Sequence, residues 1–280
     1  MKNILLPTDF SDNAWNAIFT AVKLYADVES RFYLLHAYEP NALNMLGRKD
    51  QKRLGTIYDS LSQYSEQELG RVLGYLIKNH GNPKHRFETV SKPNTLQDAI
   101  LEVVSKQDID LIVMGTQGAT GAKQVFMGSN TVKVMKLVEN CALLVVPSEY
   151  NFQTLKTVVF PTDFMKKYEK YQLSPLTELA LLWKAEVKIM HVAVEYRFND
   201  QQKLNQKLLK ERFEGLALVF HNLDFEGDIA PTLQSFIKDA QIDLLSLVRY
   251  HHTFWEKFIG EPVVKKMAFH TEVPLLILPE

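Results

Sequence analysis

The chain has 280 residues, more than a single core usually accommodates and enough for two domains of ordinary size. Hydrophobic residues make up 46% and charged residues 23%, and 32 basic against 33 acidic side chains leave a net charge of −1. That balance gives no sign of a nucleic-acid or membrane-surface partner, and the lone Cys141 excludes an intrachain disulfide framework.

The first apolar run, near residues 2–6, is interrupted by Asp9, so it does not read as a signal peptide. No segment approaches the roughly 18 apolar residues that cross a bilayer, and a cytoplasmic protein is expected. Four more short runs, rich in Leu and β-branched residues, follow near 32–37, 86–90, 110–114 and 142–146, as for strands covered on both faces. Helical patterns separate them. Ser11 caps the first, which carries Ala14, Ile18, Ala21, Val22 and Tyr25 on one face. The second runs from Ile57 to Lys78, with Ile57, Leu61, Tyr64, Val72, Leu73 and Leu76 at helical spacing. The third takes Asn94 as cap with Gln97 three residues on, then Leu96, Ala99, Ile100, Val103 and Val104. Strands alternating with helices imply right-handed crossovers and an α/β fold with a doubly wound parallel sheet.

The scheme then recurs. Leu6-Pro7-Thr8-Asp9-Phe10 returns as Phe160-Pro161-Thr162-Asp163-Phe164, and Leu35-His36-Ala37 as Met190-His191-Val192. Ile109-Asp110-Leu111-Ile112 is matched by Ile242-Asp243-Leu244-Leu245, and Leu144-Val145-Val146-Pro147 by Leu276-Ile277-Leu278-Pro279. The offset falls from 154 at the first match to 132 at the last, so the second copy is shorter in its middle. Two tandem five-stranded domains are expected, 1–150 and 151–280, with second-copy strands near 157–160, 187–192, 244–248 and 275–278 and a poorly marked third strand.

In such sheets ligands bind beyond the carboxyl ends of the strands. Two informative segments fall there. Pro7-Thr8-Asp9 ends the first strand, and Gly115-Thr116-Gln117-Gly118 follows the fourth, leading after a nine-residue spacer to Gly128-Ser129 and a helix from Asn130 to Val138. Glycines let the backbone approach an anion, and the helix N-terminus adds a positive partial charge. Ser129 stands at the expected cap position. Asp9 is a short acceptor for a ribose or base on the opposite lip. Gly121 and Lys123 lie in the spacer, where Lys123 reads as a solvated loop lysine.

The second copy lacks this apparatus. It reads Val248-Arg249-Tyr250-His251-His252-Thr253-Phe254 where the glycines should recur, and Glu261 stands opposite Ser129. His251 and His252 have no third partner at metal-binding spacing, so no metal site is expected. The cluster Phe254-Trp255-Phe258 reads as core or interface, and His36 and His191 as structural residues at matching strand ends.

With these motifs in view the chain resembles a tandem member of the universal stress protein family, whose ATP-binding pattern G-x-x-G, nine residues, G-S/T fits Gly115, Gly118, Gly128 and Ser129. Asn130 and Thr131 depart from that pattern, which often has small apolar residues there. The resemblance implies strand order 3-2-1-4-5, as in adenine nucleotide alpha hydrolase-like folds, and ATP, with or without Mg2+, as ligand. It places Pro7, Thr8 and Asp9 against the nucleoside, Ala37 and Met114 beside adenine, and Gly115 to Gly118 and Gly128 to Thr131 around the phosphates. It also suggests that the strands 142–146 and 275–278 pair across the repeat as the family's homodimers do, with a homodimer of whole chains as a further option.

A stress-response ATP-binding regulator holding nucleotide in its first domain is therefore the expected function. No nucleophile, base and orienting residue stand together, so no catalytic residue is named. The rivals are a slow ATPase or adenylyl-transfer enzyme and a nucleotide-independent interaction scaffold.

Overall fold

The computed structural model describes residues 1–39, 51–116, 128–191, 198–222, 241–249 and 273–280. Among them, 1–116 with 128–141 form one compact unit and the residues from Ala142 onward a second. The Gln117–Gly118 pair, the 119–127 spacer and the segment 250–272, with its histidine pair, aromatic cluster and Glu261, lie outside the described residues.

An uninterrupted apolar stretch has to be covered on both sides, and Ile4-Leu5-Leu6 of β1 (Lys2–Pro7) has no exposed surface. β1 sits between β2 (Ser30–Ala37) and β4 (Leu111–Gly115), and β3 (His85–Lys92) completes the order β3-β2-β1-β4, all parallel. Helix α1 (Asp12–Leu24) turns Ala14, Ile18, Ala21 and Val22 to the core, and Tyr25 just beyond it is also buried. Ser11 caps it, its Oγ accepting from the Ala14 N–H at 3.3 Å.

Helix α2 spans Gln51–Asn79, with Ser65, Leu69, Val72 and Leu76 facing inward. Tyr64, expected on that face, is 51% exposed, because the helical phase gives the core position to Ser65 instead. Helix α3 (Leu96–Gln107) is capped one residue later than the sequence suggests. Asn94 Oδ1 accepts from the adjacent Thr95 N–H, leaving Thr95 Oγ1 to accept from the Asp98 N–H at 3.1 Å and to donate to Asp98 Oδ2 at 2.8 Å. Helix α4 (Ser129–Leu137) closes the first unit.

The second unit contains β5 (Ala142–Val146), β6 (Thr157–Thr162), helix α5 (Lys170–Trp183), β7 (Glu186–His191), helix α6 (Asp200–Arg212), β8 (Ala217–Asn222), β9 (Leu244–Val248) and β10 (Leu275–Leu278). Its order is β5-β10-β9-β6-β7-β8, so β8 to β10 reproduce 3-2-1-4-5, with β8 as the third strand that the sequence marked weakly. β5 runs antiparallel to β10, pairing Leu144 with Leu276, and the other ladders are parallel. Pro175 interrupts α5 without breaking it: the Tyr171 carbonyl that its missing N–H would have bonded accepts from Ser174 Oγ at 2.9 Å.

Both units start their central strand with the same clasp. Asp110 Oδ2 accepts from the Asn3 N–H at 2.8 Å while its own N–H donates to Asn3 O, and Asp243 Oδ2 accepts from the Lys156 and Thr157 N–H groups at 2.7 and 2.9 Å. These positions are the matched Ile-Asp pairs of the sequence, and the carboxylate holds amides that have no ladder partner. Asp243→Ala is expected to cost about 1–3 kcal/mol, read as a lower urea midpoint at unchanged slope. An unaltered midpoint would show that the clasp does not hold the strand.

Candidate functional site

The last residues of β1 must leave a buried sheet within one turn, and the side chains of Thr8 and Asp9 make that turn. Thr8 Oγ1 accepts from the Phe10 N–H at 3.0 Å, and Asp9 Oδ1 accepts from the Ser11 N–H at 3.1 Å and from Ser11 Oγ. Phe10 adopts φ 64°, a left-handed conformation costly for a residue with Cβ, which the two side-chain clasps sustain. The Asp9 carboxylate thus organises the turn as well as facing the cleft.

A cleft of about 170 Å3 opens above the carboxyl ends of β1, β2 and β4, and is lined by Pro7, Thr8, Asp9, Ala37, Met114, Gly115, Gly128, Ser129, Asn130 and Thr131. Of the site residues expected from sequence that lie among the described residues, all but Thr116 are there. Ala14, His36 and Leu96 line it too, and the sequence reading did not assign them to it. Helix phase would have found Ala14, and Leu96 is the first residue of α3, whose start the sequence misplaced.

Gly115 is the last residue of β4, not the first after it. A Cβ there would lie 2.6 Å from Asn13 Cγ, so the glycine is required by the side chain of α1 packed over it. Asn13 Nδ2 in turn donates to Thr116 Oγ1 at 3.3 Å, and Thr131 Oγ1 donates to Gly115 O at 3.0 Å. Asn13 was missed because nothing in its sequence context marks a contact 102 residues away.

Helix α4 also begins earlier than expected: Gly128 is its N-cap, and Ser129 is the first helical residue instead of the cap. The Gly128 N–H donates to Thr116 O at 2.6 Å, and Gly128 O accepts from Val132 N–H. Among the described residues no side chain caps the helix, so the N–H groups of Ser129, Asn130 and Thr131 stand as its first-turn donors at the cleft rim. Asn130 Oδ1 meets Gln97 Nε2 of α3 at 3.4 Å.

His36 stands at the end of β2, its ring 4.5 Å from that of Phe10. Its Nδ1 meets Ser65 Oγ at 2.8 Å, and Ser65 Oγ meets Ser91 Oγ at 2.7 Å. Burial lowers the pKa of His36, against an opposing pull from Asp9, so the ring favours its neutral form. Cys141 is buried, and burial raises its thiol to about 12, which leaves it inert.

The second unit builds the same turn and buries it. Phe164 repeats the left-handed φ at 56°, with Thr162 Oγ1 and Asp163 Oδ1 accepting from the Phe164 and Met165 N–H groups. Phe164 is fully buried, stacked on His191 at 5.4 Å and against Phe198. Tyr168 Oη donates to Thr162 Oγ1 at 2.7 Å, Gln202 Nε2 to Asp163 O at 3.0 Å, and Asn205 Nδ2 to Phe164 O at 2.8 Å. Helix α6 thereby ties the carbonyls of the turn.

Among the described residues no helix is long and apolar enough to cross a membrane, and no three His, Cys, Asp or Glu side chains are grouped to hold a metal ion.

Relatives are found over both the first half and the whole chain. The family model of the universal stress protein family matches residues 1–147. Universal stress protein Slr1230 of Synechocystis is 26% identical over 99% of both chains, and universal stress protein MJ0531 of Methanocaldococcus jannaschii is 28% identical over 52% of this chain and 81% of its own. The crystal structure of a universal stress protein from Archaeoglobus fulgidus superposes with a TM-score of 0.64 at 14% identity, over 99% of this chain and 96% of that one, a likeness of fold. The family match extends over more than half of the sequence and over all the cleft residues up to Thr131, and the chain belongs to the universal stress protein family.

Proposed function

We propose that the chain is an ATP-binding regulator of the stress response that holds nucleotide in its N-terminal half only. The observation that carries this reading is the convergence on one cleft of the β1 turn, the Gly115 strand end and the uncapped first turn of α4. Orphan N–H groups at a helix N-terminus favour phosphate, and Gly115 brings the end of β4 to the same cleft. Ala37 and Met114 supply apolar walls for a base, while Asp9 faces the ribose. At about 170 Å3 the cleft is smaller than the roughly 300–1,000 Å3 of most ligand pockets, so the nucleoside enters it and the phosphates extend over α4. With or without Mg2+, which would be carried by the phosphates, the ligand proposed is ATP.

The closed turn of the second unit supports the restriction to one half. Phe164, Tyr168, Gln202 and Asn205 occupy or tie down the position that is open above Thr8 and Asp9. We also read the β5–β10 ladder as an internal counterpart of a dimer contact. Each strand is a wholly apolar run that would otherwise be a bare sheet edge.

Ser129→Glu places a carboxylate where the phosphates would lie, at an exposed position that tolerates it. ATP affinity, measured by calorimetry on the full chain, is expected to fall about tenfold or more, which is 1.4 kcal/mol of repulsion. Equal affinity in the variant, or no ATP binding by the parent at millimolar concentration, would remove nucleotide from the account. For the ladder, a protease site introduced at 148–151 tests whether the cleaved halves stay together on size exclusion, as expected. Their separation would refute the pairing.

His191 gives a pH prediction. Burial lowers its folded pKa, so below the ordinary value of about 6.5 the unfolded chain binds the proton more readily. Its contribution to stability is full above that value and is lost as the pH falls toward the folded pKa. The urea midpoint should drop between pH 7.5 and 5.5, and His191→Phe should flatten that drop.

A further inference from the structure

Helix α1 presents a second face. Asp12, Trp15, Asn16 and Phe19 follow at i, i+3, i+4 and i+7, away from the core face of Ala14, Ala17, Ile18 and Ala21. Tyr75 of α2 meets them across the groove, and the five residues line a cleft of about 370 Å3 that shares no residue with the nucleotide cleft. Trp15 stacks on Phe19 with centroids 5.4 Å apart, and Tyr75 stands edge-on to Trp15 at 5.3 Å. His80 packs against Phe19 and Tyr75 at the far end, at 5.0 and 5.9 Å.

Three large rings are thus gathered at the surface, with Tyr75 46% exposed and Trp15 and Phe19 half-buried. Asp12 is exposed at the mouth of this cleft, and no hydrogen bond or ion pair engages its side chain among the described residues. An acid in the first turn suits the helix dipole, which accounts for Asp12 but not for the wall of rings beside it. Ring faces carry negative potential and attract cations that are weakly hydrated, and a carboxylate at the rim adds the same sign.

We propose that this cleft binds a small organic cation, an alkylated ammonium or guanidinium group, with Trp15, Phe19 and Tyr75 presenting π surface and Asp12 the counter-charge. Anions are repelled by both elements. A neutral apolar group of the same shape gains contact area but neither attraction.

Choline and its uncharged isostere 3,3-dimethylbutan-1-ol separate charge from shape, and arginine amide serves as the guanidinium probe. Calorimetry and the Trp15 indole N–H resonance of the full chain are the readouts. Choline or arginine amide should bind saturably, with the isostere about tenfold weaker and the affinity falling with added salt. Tyr75→Leu and Asp12→Asn, both at exposed positions, should each weaken binding severalfold, while Tyr75→Phe retains it. Circular dichroism checks that the variants fold. Saturable binding of neither cation, equal binding of the isostere, or affinity indifferent to both variants would overturn the proposal. ATP titration of the same samples is expected to be unchanged, so failure here is distinct from failure of the nucleotide reading.

Discussion

A chain leaving the middle of a parallel sheet has to satisfy its backbone amides before it can start a helix, and everything at the site follows from how that is done. After β1 the amides of Phe10 and Ser11 meet Thr8 Oγ1 and Asp9 Oδ1, and Ser11 at once caps α1. Three side chains, those of Thr8, Asp9 and Ser11, therefore convert a buried strand into a helix over four residues. The left-handed Phe10 is the strained element of the device, held because both of its neighbours are clasped. Because the turn is made by side chains rather than by a long loop, Pro7, Thr8 and Asp9 are left at the cleft edge.

The opposite edge is set by packing. Gly115 lacks a Cβ because Asn13 lies over it, and Asn13 is positioned by the helix that the β1 turn begins. Thr131 then ties α4 to the Gly115 carbonyl, and the Gly128 amide to Thr116 draws the helix start to the end of β4. The two sides of the cleft are in this way consequences of one another, and the first-turn amides of α4 are aimed by these internal contacts.

The second half shows what the same turn becomes when its surroundings change. Thr162, Asp163 and Phe164 repeat the clasp with the same backbone twist, yet Phe164 is driven into the core beside His191, and α6 supplies amide side chains that bond the turn carbonyls. The turn that edges a cleft in one unit is buried in the other. The difference lies in what packs on the turn: Tyr168 just after it, and Gln202 and Asn205 far along the chain.

Local patterns made much of this legible. The apolar runs, the Ser11 cap, the Pro-Thr-Asp repeat and the glycine spacing depend on neighbours in sequence, and they marked the strands and the two cleft edges, while the strand order and the places of Ala37 and Met114 came from the family resemblance those motifs carry. Where two local solutions compete, sequence was less decisive: Asn94 and Thr95 both fit a cap, Gly128 and Ser129 both fit a helix start, and only the positions of Asp98 and Thr116 settle each choice. What tertiary structure alone decided are the contacts between distant segments. They include Asn13 over Gly115, His36 in the cleft through Ser65 and Ser91, and the closure of the second turn by α6. The physical reason is that periodicity encodes which side of an element is buried, whereas the partner met there is selected by the packing of the whole unit.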